Sequence, residues 1–180
     1  MAEPGQAHRI LSGEGLTIER IAPAGLALVS GFGGGDAGKA LAGALGCAEP
    51  KANRWTETDD HVVASIGAGR WMVSGEGEAA GTLATRLEAA LAGQAAVVDL
   101  SHGRVVFVLE GPGARVVLAK GCTADLRPSR LGVGAAIVTA LGKLAVTILV
   151  RADERFEIHV ASSYAEHVEE WFAAATREFA

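Results

Sequence analysis

Short apolar segments come in pairs along this chain, each pair is followed by a stretch with helical spacing, and that order limits the folds open to it. Residues 16–21 and 26–29 read as strands parted by Pro23 and Gly25. Residues 61–66 and 70–74 flank Gly67-Ala68-Gly69, a hairpin signal. A third pair, 96–100 and 105–110, lies around the polar run from Asp99 to Arg104. In the fourth round, 136–141 and 144–150 meet at Gly142-Lys143, and a strand at 156–160 follows. After each comes a helix. Asp36 is placed to cap the first, Leu41 and Leu45 share its face, and Gly46 ends it. Leu83, Leu87, Ala90 and Leu91 stripe the second. Pro112 suits the first turn of the third, which stops at Gly121. The last runs from Ser163 to about Glu178, with Ser163 and Glu166 as a capping box and Tyr164, Val168, Trp171, Phe172 and Ala175 as its buried stripe. The expected class is α+β: antiparallel strands in repeated strand-strand-helix units, with helices packed on the sheets.

One segment competes with that picture. Residues 131–150, LGVGAAIVTALGKLAVTILV, match the roughly 20 residues that span a bilayer. Lys143 sits past the middle, where a charge costs about 3 kcal/mol, and Gly142-Lys143 parts two β-branched runs as a turn does. The segment reads as a hairpin, not a membrane span. At 49% hydrophobic and 21% charged, the 180 residues have enough apolar material for a core. A net charge of −5 leaves no basic excess to neutralise nucleic-acid phosphates. The start, MAEPGQAHRILSGEG, is polar and resembles no signal peptide, and two cysteines make no disulfide framework. Residues 1–14 are expected to be a flexible N-terminus and residues 15–180 a single α+β domain, or two intimate subdomains, in a cytoplasmic protein.

Candidate sites are scarce. Gly33, Gly38 and Lys39 reproduce P-loop spacing, but Ala40 stands where a magnesium-binding hydroxyl belongs. The strands around that loop read as hairpins, whereas P-loop enzymes use parallel sheets. The loop reads as a turn before a capped helix. Asp99, Ser101 and His102 are chain neighbours, and a triad is assembled across space, so their segment reads as a tight turn whose side chains bond the backbone. His8, His61, His102, His159 and His167 lie far apart without metal-ligand spacing. Cys122 follows a helix C-terminus, the wrong end of the dipole to activate a thiol. Lys120, Arg127 and Arg130 border a loop with Asp125 and Pro128 and read as a solvated rim. The expectation is no catalytic, cofactor-binding or metal residue in this chain.

A resemblance adds to this. VVDLSHGRVVFVLEGPGARVVLAKGCTADLRP (residues 97–128) and FEIHVASSYAEHVEEWFAAATREF (residues 156–179) are similar to the gamma subunit of heterotetrameric sarcosine oxidases. The segment from Arg70 to Gly75, ahead of an Ala/Leu helix, fits too, while the first forty-odd residues depart most. More distantly, VVDLSHGRVVFVLEGPGA resembles tetrahydrofolate-dependent aminomethyltransferases, which implies a related fold without licensing a folate site. The family implies a complex that oxidises sarcosine to glycine, passes the methyl carbon to tetrahydrofolate and makes hydrogen peroxide. It implies larger alpha and beta subunits carrying FAD, FMN, NAD and tetrahydrofolate, a small delta subunit carrying zinc, and a non-catalytic gamma chain. The alternatives are a stand-alone folate-binding or one-carbon-transfer protein, then a nucleotide-binding enzyme using the loop from Gly33 to Lys39.

Overall fold

The computed structural model describes residues 7–33 and 36–179. The chain opens with strands β1 (Ala7–Gly13), β2 (Leu16–Ile21) and β3 (Gly25–Gly31), then helix α1 (Ala37–Leu45). Strands β4 (Trp55–Glu57), β5 (His61–Gly67) and β6 (Arg70–Gly75) precede helix α2 (Thr82–Ala90). Strands β7 (Ala95–Asp99) and β8 (Arg104–Glu110) precede helix α3 (Ala114–Ala119). Strands β9 (Ala136–Leu141), β10 (Leu144–Ala152) and β11 (Arg155–Ala161) lead into helix α4 (Ala165–Ala175). The strand pairings are antiparallel, and the fold is the α+β class expected.

The chain divides into two compact units, one of Met1–Ala22 with Gly103–Ala180, the other of Pro23–His102. The first unit holds a six-stranded sheet, β1-β2-β8-β11-β10-β9. Alternation along the strands sends Leu16, Ile18, Phe107, Phe156 and Ile158 to one face, where Val117, Val168 and Phe172 from α3 and α4 complete the core. Phe172 has no solvent exposure and its ring lies 5.4 Å from that of Phe107, so truncating it to alanine costs about 3–5 kcal/mol. The apolar stretch 131–150 contributes β9 and β10, paired Leu141 to Leu144 across a two-residue turn. Gly142 takes φ 62° there, the positive value a first turn residue needs in a type II′ hairpin. Among the described residues no helix is long and apolar enough to cross a membrane.

Two local expectations change in this unit. Residues 7–13 are strand, not flexible terminus, because β2 offers β1 a ladder and Arg9 meets Glu19 at 3.0 Å across it; residues 1–6 lie outside the described residues. Ser163 does not cap the last helix. Residues Ser162–Tyr164 form a 3₁₀ turn, α4 starts at Ala165 without a side-chain cap, and Tyr164 is exposed rather than in the buried stripe.

The second unit holds a five-stranded sheet, β4-β5-β6-β3-β7. One face, with Ala27, Val29, Val63 and Val73, packs on Leu41 and Leu45 of α1 and on Leu83, Leu87 and Leu91 in and beyond α2. Gly46 ends α1 in the left-handed conformation expected of it, but Asp36 gives no side-chain cap and instead pairs with Lys39 at 3.0 Å.

Two expected strand pairs are not pairs. β2 and β3 lie in different sheets, as do β7 and β8. The chain passes from one unit to the other at Ala22/Pro23 and returns at His102/Gly103. β8 pairs instead with β2 and β11, and β7 with β3, partners remote in sequence. A turn-rich linker permits a hairpin but does not require one; the partner is set by which core the apolar face completes.

Candidate functional site

The polar run from Asp99 to Arg104 is where the sequence placed its most concentrated chemistry. Ser101 is buried, and its Oγ accepts the Leu26 N–H at 3.0 Å while donating to Asp99 Oδ1 at 2.6 Å. The Ser101 N–H donates to the same carboxylate oxygen at 3.0 Å, and the Leu100 N–H donates to the Leu26 carbonyl. Partial burial pushes the Asp99 carboxyl up, yet the Ser101 bonds, with smaller help from His102 and the Gly81 N–H, hold it below its ordinary value. The hydroxyl is thus engaged on both sides. It carries β7 beyond the end of its ladder and holds it to β3, a structural task. The expectation of side chains bonding the backbone fits; that of a tight turn between paired strands does not.

The Gly111-Pro112-Gly113-Ala114 run resolves into a close crossing of backbones. The Gly113 N–H donates to the Gly15 carbonyl at 2.9 Å, and a Cβ on Gly111 would stand 2.5 Å from that same oxygen. Gly111 also has φ +119°, a region that side chains avoid. A Cβ on Gly113 would lie 2.6 Å from the Phe179 ring. Lys120 Nζ closes the end of the chain down, donating to the Ala175 carbonyl and meeting Glu178 at 2.9 Å. Protein atoms fill the approach that glycines provide elsewhere for phosphates.

At the loop from Gly33 to Lys39, Gly34 and Gly35 lie outside the described residues. Lys39 pairs with Asp36, and the Glu49 carboxylate adds to that field, both raising the ammonium above its ordinary value. Glu49 and the Trp71 ring pack against Gly38, where a Cβ would collide with them. An anion entering here meets two carboxylates, and the sheet behind the loop is antiparallel.

Two clusters escaped the sequence reading, the first because its members are remote in the chain. In the second unit, Glu78 Oε1 lies 2.6 Å from both His61 Nε2 and Arg86 Nη2. Burial pushes the Glu78 carboxyl up, but these two partners win and hold it low. In the first unit, Glu157 faces Arg151 at 3.3 Å and the buried His159 at 3.7 Å, which hold its carboxyl low against strong burial. Period-2 spacing on β11 was the available signal for Glu157 and His159. Among the described residues no group of three or more His, Cys, Asp or Glu is arranged to hold a metal. Of the basic rim, Arg127 is tied to Asp125 and Lys120 to Glu178; Arg127 pulls the Asp125 carboxyl down to about 2. Cys122 lines an open cavity of about 450 Å³ with Val116, Leu126 and Arg127.

The family model described as "Sarcosine oxidase, gamma subunit family" matches residues 35–178. The chain belongs to that family. The sarcosine oxidase subunit gamma of Corynebacterium sp. (strain U-96) is 41% identical over 83 residues, which is 46% of this chain and 40% of that one. Matches to the curated gamma subunits span from 40% to 61% of their own length. A chain of the heterotetrameric sarcosine oxidase from Corynebacterium sp. U-96, in complex with pyrrole 2-carboxylate, superposes with a TM-score of 0.83 at 29% identity. That match covers 95% of this gamma-family chain and 88% of the other. Aminomethyltransferase T of the glycine cleavage system from Bartonella henselae matches with a TM-score of 0.66 at 23% identity, over 88% of this chain and 45% of that one. The fold is therefore shared with aminomethyltransferases, as the resemblance implied.

Proposed function

We propose that this chain is the structural gamma subunit of a heterotetrameric sarcosine oxidase, that it assembles with larger alpha and beta subunits and a small delta subunit, and that it supplies no reacting group. The likeness of nearly the whole chain to a chain of the Corynebacterium heterotetramer supports the reading most. The complex oxidises sarcosine to glycine, passes the methyl carbon to tetrahydrofolate and releases hydrogen peroxide. FAD, FMN, NAD, tetrahydrofolate and zinc reside in its other subunits. The polar groups described above suit that role: Ser101, Gly113 and Lys39 are each engaged by neighbouring protein groups. A cytoplasmic location is part of the same reading.

Co-expression with the other subunits tests it. The four chains should co-purify and make peroxide from sarcosine, while this chain alone is colourless and inactive. A flavin spectrum or peroxide from the isolated chain would overturn the reading.

A further inference from the structure

A sheet edge presents unpaired N–H and C=O groups, and proteins blunt such edges with charge, brevity, proline or cover. The outer strands of the two sheets follow this practice to different degrees. β4 has three residues. β1 carries His8, Arg9 and Ser12. β9 exposes Val138 but is covered at its end, where Cys122 bridges to Leu141 and the Thr123 N–H donates to the Ala140 carbonyl. β7 is different. Its charge is confined to Asp99 at the end of the strand, where Ser101 bonds the carboxylate, and Ala95-Ala96-Val97-Val98 before it contains no charge, no proline and no polar side chain.

The register shows which groups of β7 are open. The Phe32 N–H donates to the Gln94 carbonyl, and the Leu100 N–H donates to the Leu26 carbonyl. Antiparallel bonding alternates, so Gln94, Ala96, Val98 and Leu100 turn their backbone groups toward β3. Val97 and Asp99 turn theirs outward. On the sheet face shared by Ala96, Ser30 and half-buried Leu28, Val98 is 51% and Phe32 54% accessible, while Leu26 and Met72 further in are buried. Among the described residues no strand pairs with the outer side of β7, and this backbone edge beside exposed Val98 suits one occupant, an extended strand that bonds the backbone and covers the valine.

We propose that the outer edge of β7 receives an extended strand from another subunit of the oxidase, hydrogen-bonded to the backbone of Val97 and Asp99 and packed over Val98. This rests on the reading of the chain as a gamma subunit. A separate subunit, not a second copy, is the committed occupant because the matched chain belongs to an assembly of unlike chains.

The test is proline at the outward position. Val97→Pro removes an N–H that the ladder with β3 does not use, so the chain still folds. The partner strand loses its donor, and affinity for the other subunits should fall about tenfold or more. Val97→Thr keeps the N–H and should assemble as wild type. Recovery of the other subunits by each tagged variant, co-expressed with them, is the readout, with circular dichroism confirming the fold. Should Val97→Pro fail to fold, Val98→Lys on the exposed face reads the same surface and should also lower recovery. Wild-type recovery with a folded Val97→Pro, or with Val98→Lys where the proline variant does not fold, overturns the proposal and leaves the gamma-subunit reading intact. Failure of the wild-type chain to recover any other subunit overturns both.

Discussion

Ser101 Oγ donates to Asp99 Oδ1 across 2.6 Å, and this contact holds the point where the chain leaves its five-stranded sheet. Removing the hydroxyl strands the fully buried Leu26 N–H, so Ser101→Ala should cost about 1–3 kcal/mol. Asp99→Ala takes the acceptor from both the hydroxyl and the N–H of buried Ser101 and should likewise cost about 1–3 kcal/mol. Urea unfolding reads both. Turnover per flavin in assembled complexes should be unchanged; a hundredfold loss at normal stability would place this segment in the chemistry.

The same carboxylate makes a pH prediction. Its folded value lies below the ordinary 3.8, so the native state binds fewer protons than the unfolded one in this range. Its contribution to stability is complete above pH 3.8 and is lost as the pH falls through the lower folded value. In Asp99→Asn that part of the acid dependence should disappear, as unfolding curves collected from pH 6 downward will show.

Gly111 and Gly113 sit two residues apart but should respond differently to alanine. At Gly111 the new Cβ meets a carbonyl oxygen and φ is +119°, so both sterics and backbone oppose it. A loss of about 3 kcal/mol or more is expected. At Gly113 the nearest obstacle is the Phe179 ring, which can turn aside near the chain end, and the Gly15 carbonyl oxygen is farther, at 3.2 Å. Gly113→Ala should cost less, and equal losses would contradict this account of the crossing.

Asp125 should titrate near pH 2 by carboxyl NMR, because the Arg127 guanidinium and N–H both donate to it. In Arg127→Ala the midpoint should move up toward 3.8.

Lys39→Ala should leave folding, assembly and turnover at wild-type levels, since Lys39 and Asp36 form a solvent-exposed pair. Calorimetric titration with ATP should show no heat of binding in either protein. Binding that Lys39→Ala abolishes would promote the nucleotide-binding alternative.

Features that depend on a few neighbouring residues could be read from the order of amino acids. The hairpin at Gly142-Lys143 and the helix stop at Gly46 were legible because each needs a positive φ that glycine accepts without cost. The α+β class followed from strand and helix periods, and the absence of a complete P-loop from Ala40 alone. Which strands share a sheet depends instead on packing across the whole chain. β7 and β8 are separated by four residues yet join different sheets, since each strand buries its apolar face against a core assembled from remote segments. For the same reason His61, Glu78 and Arg86 met unannounced, and Gly111 and Gly113 showed their purpose only beside Gly15 and Phe179. Local backbone preference is written residue by residue; the choice of partner is a property of the whole packed chain.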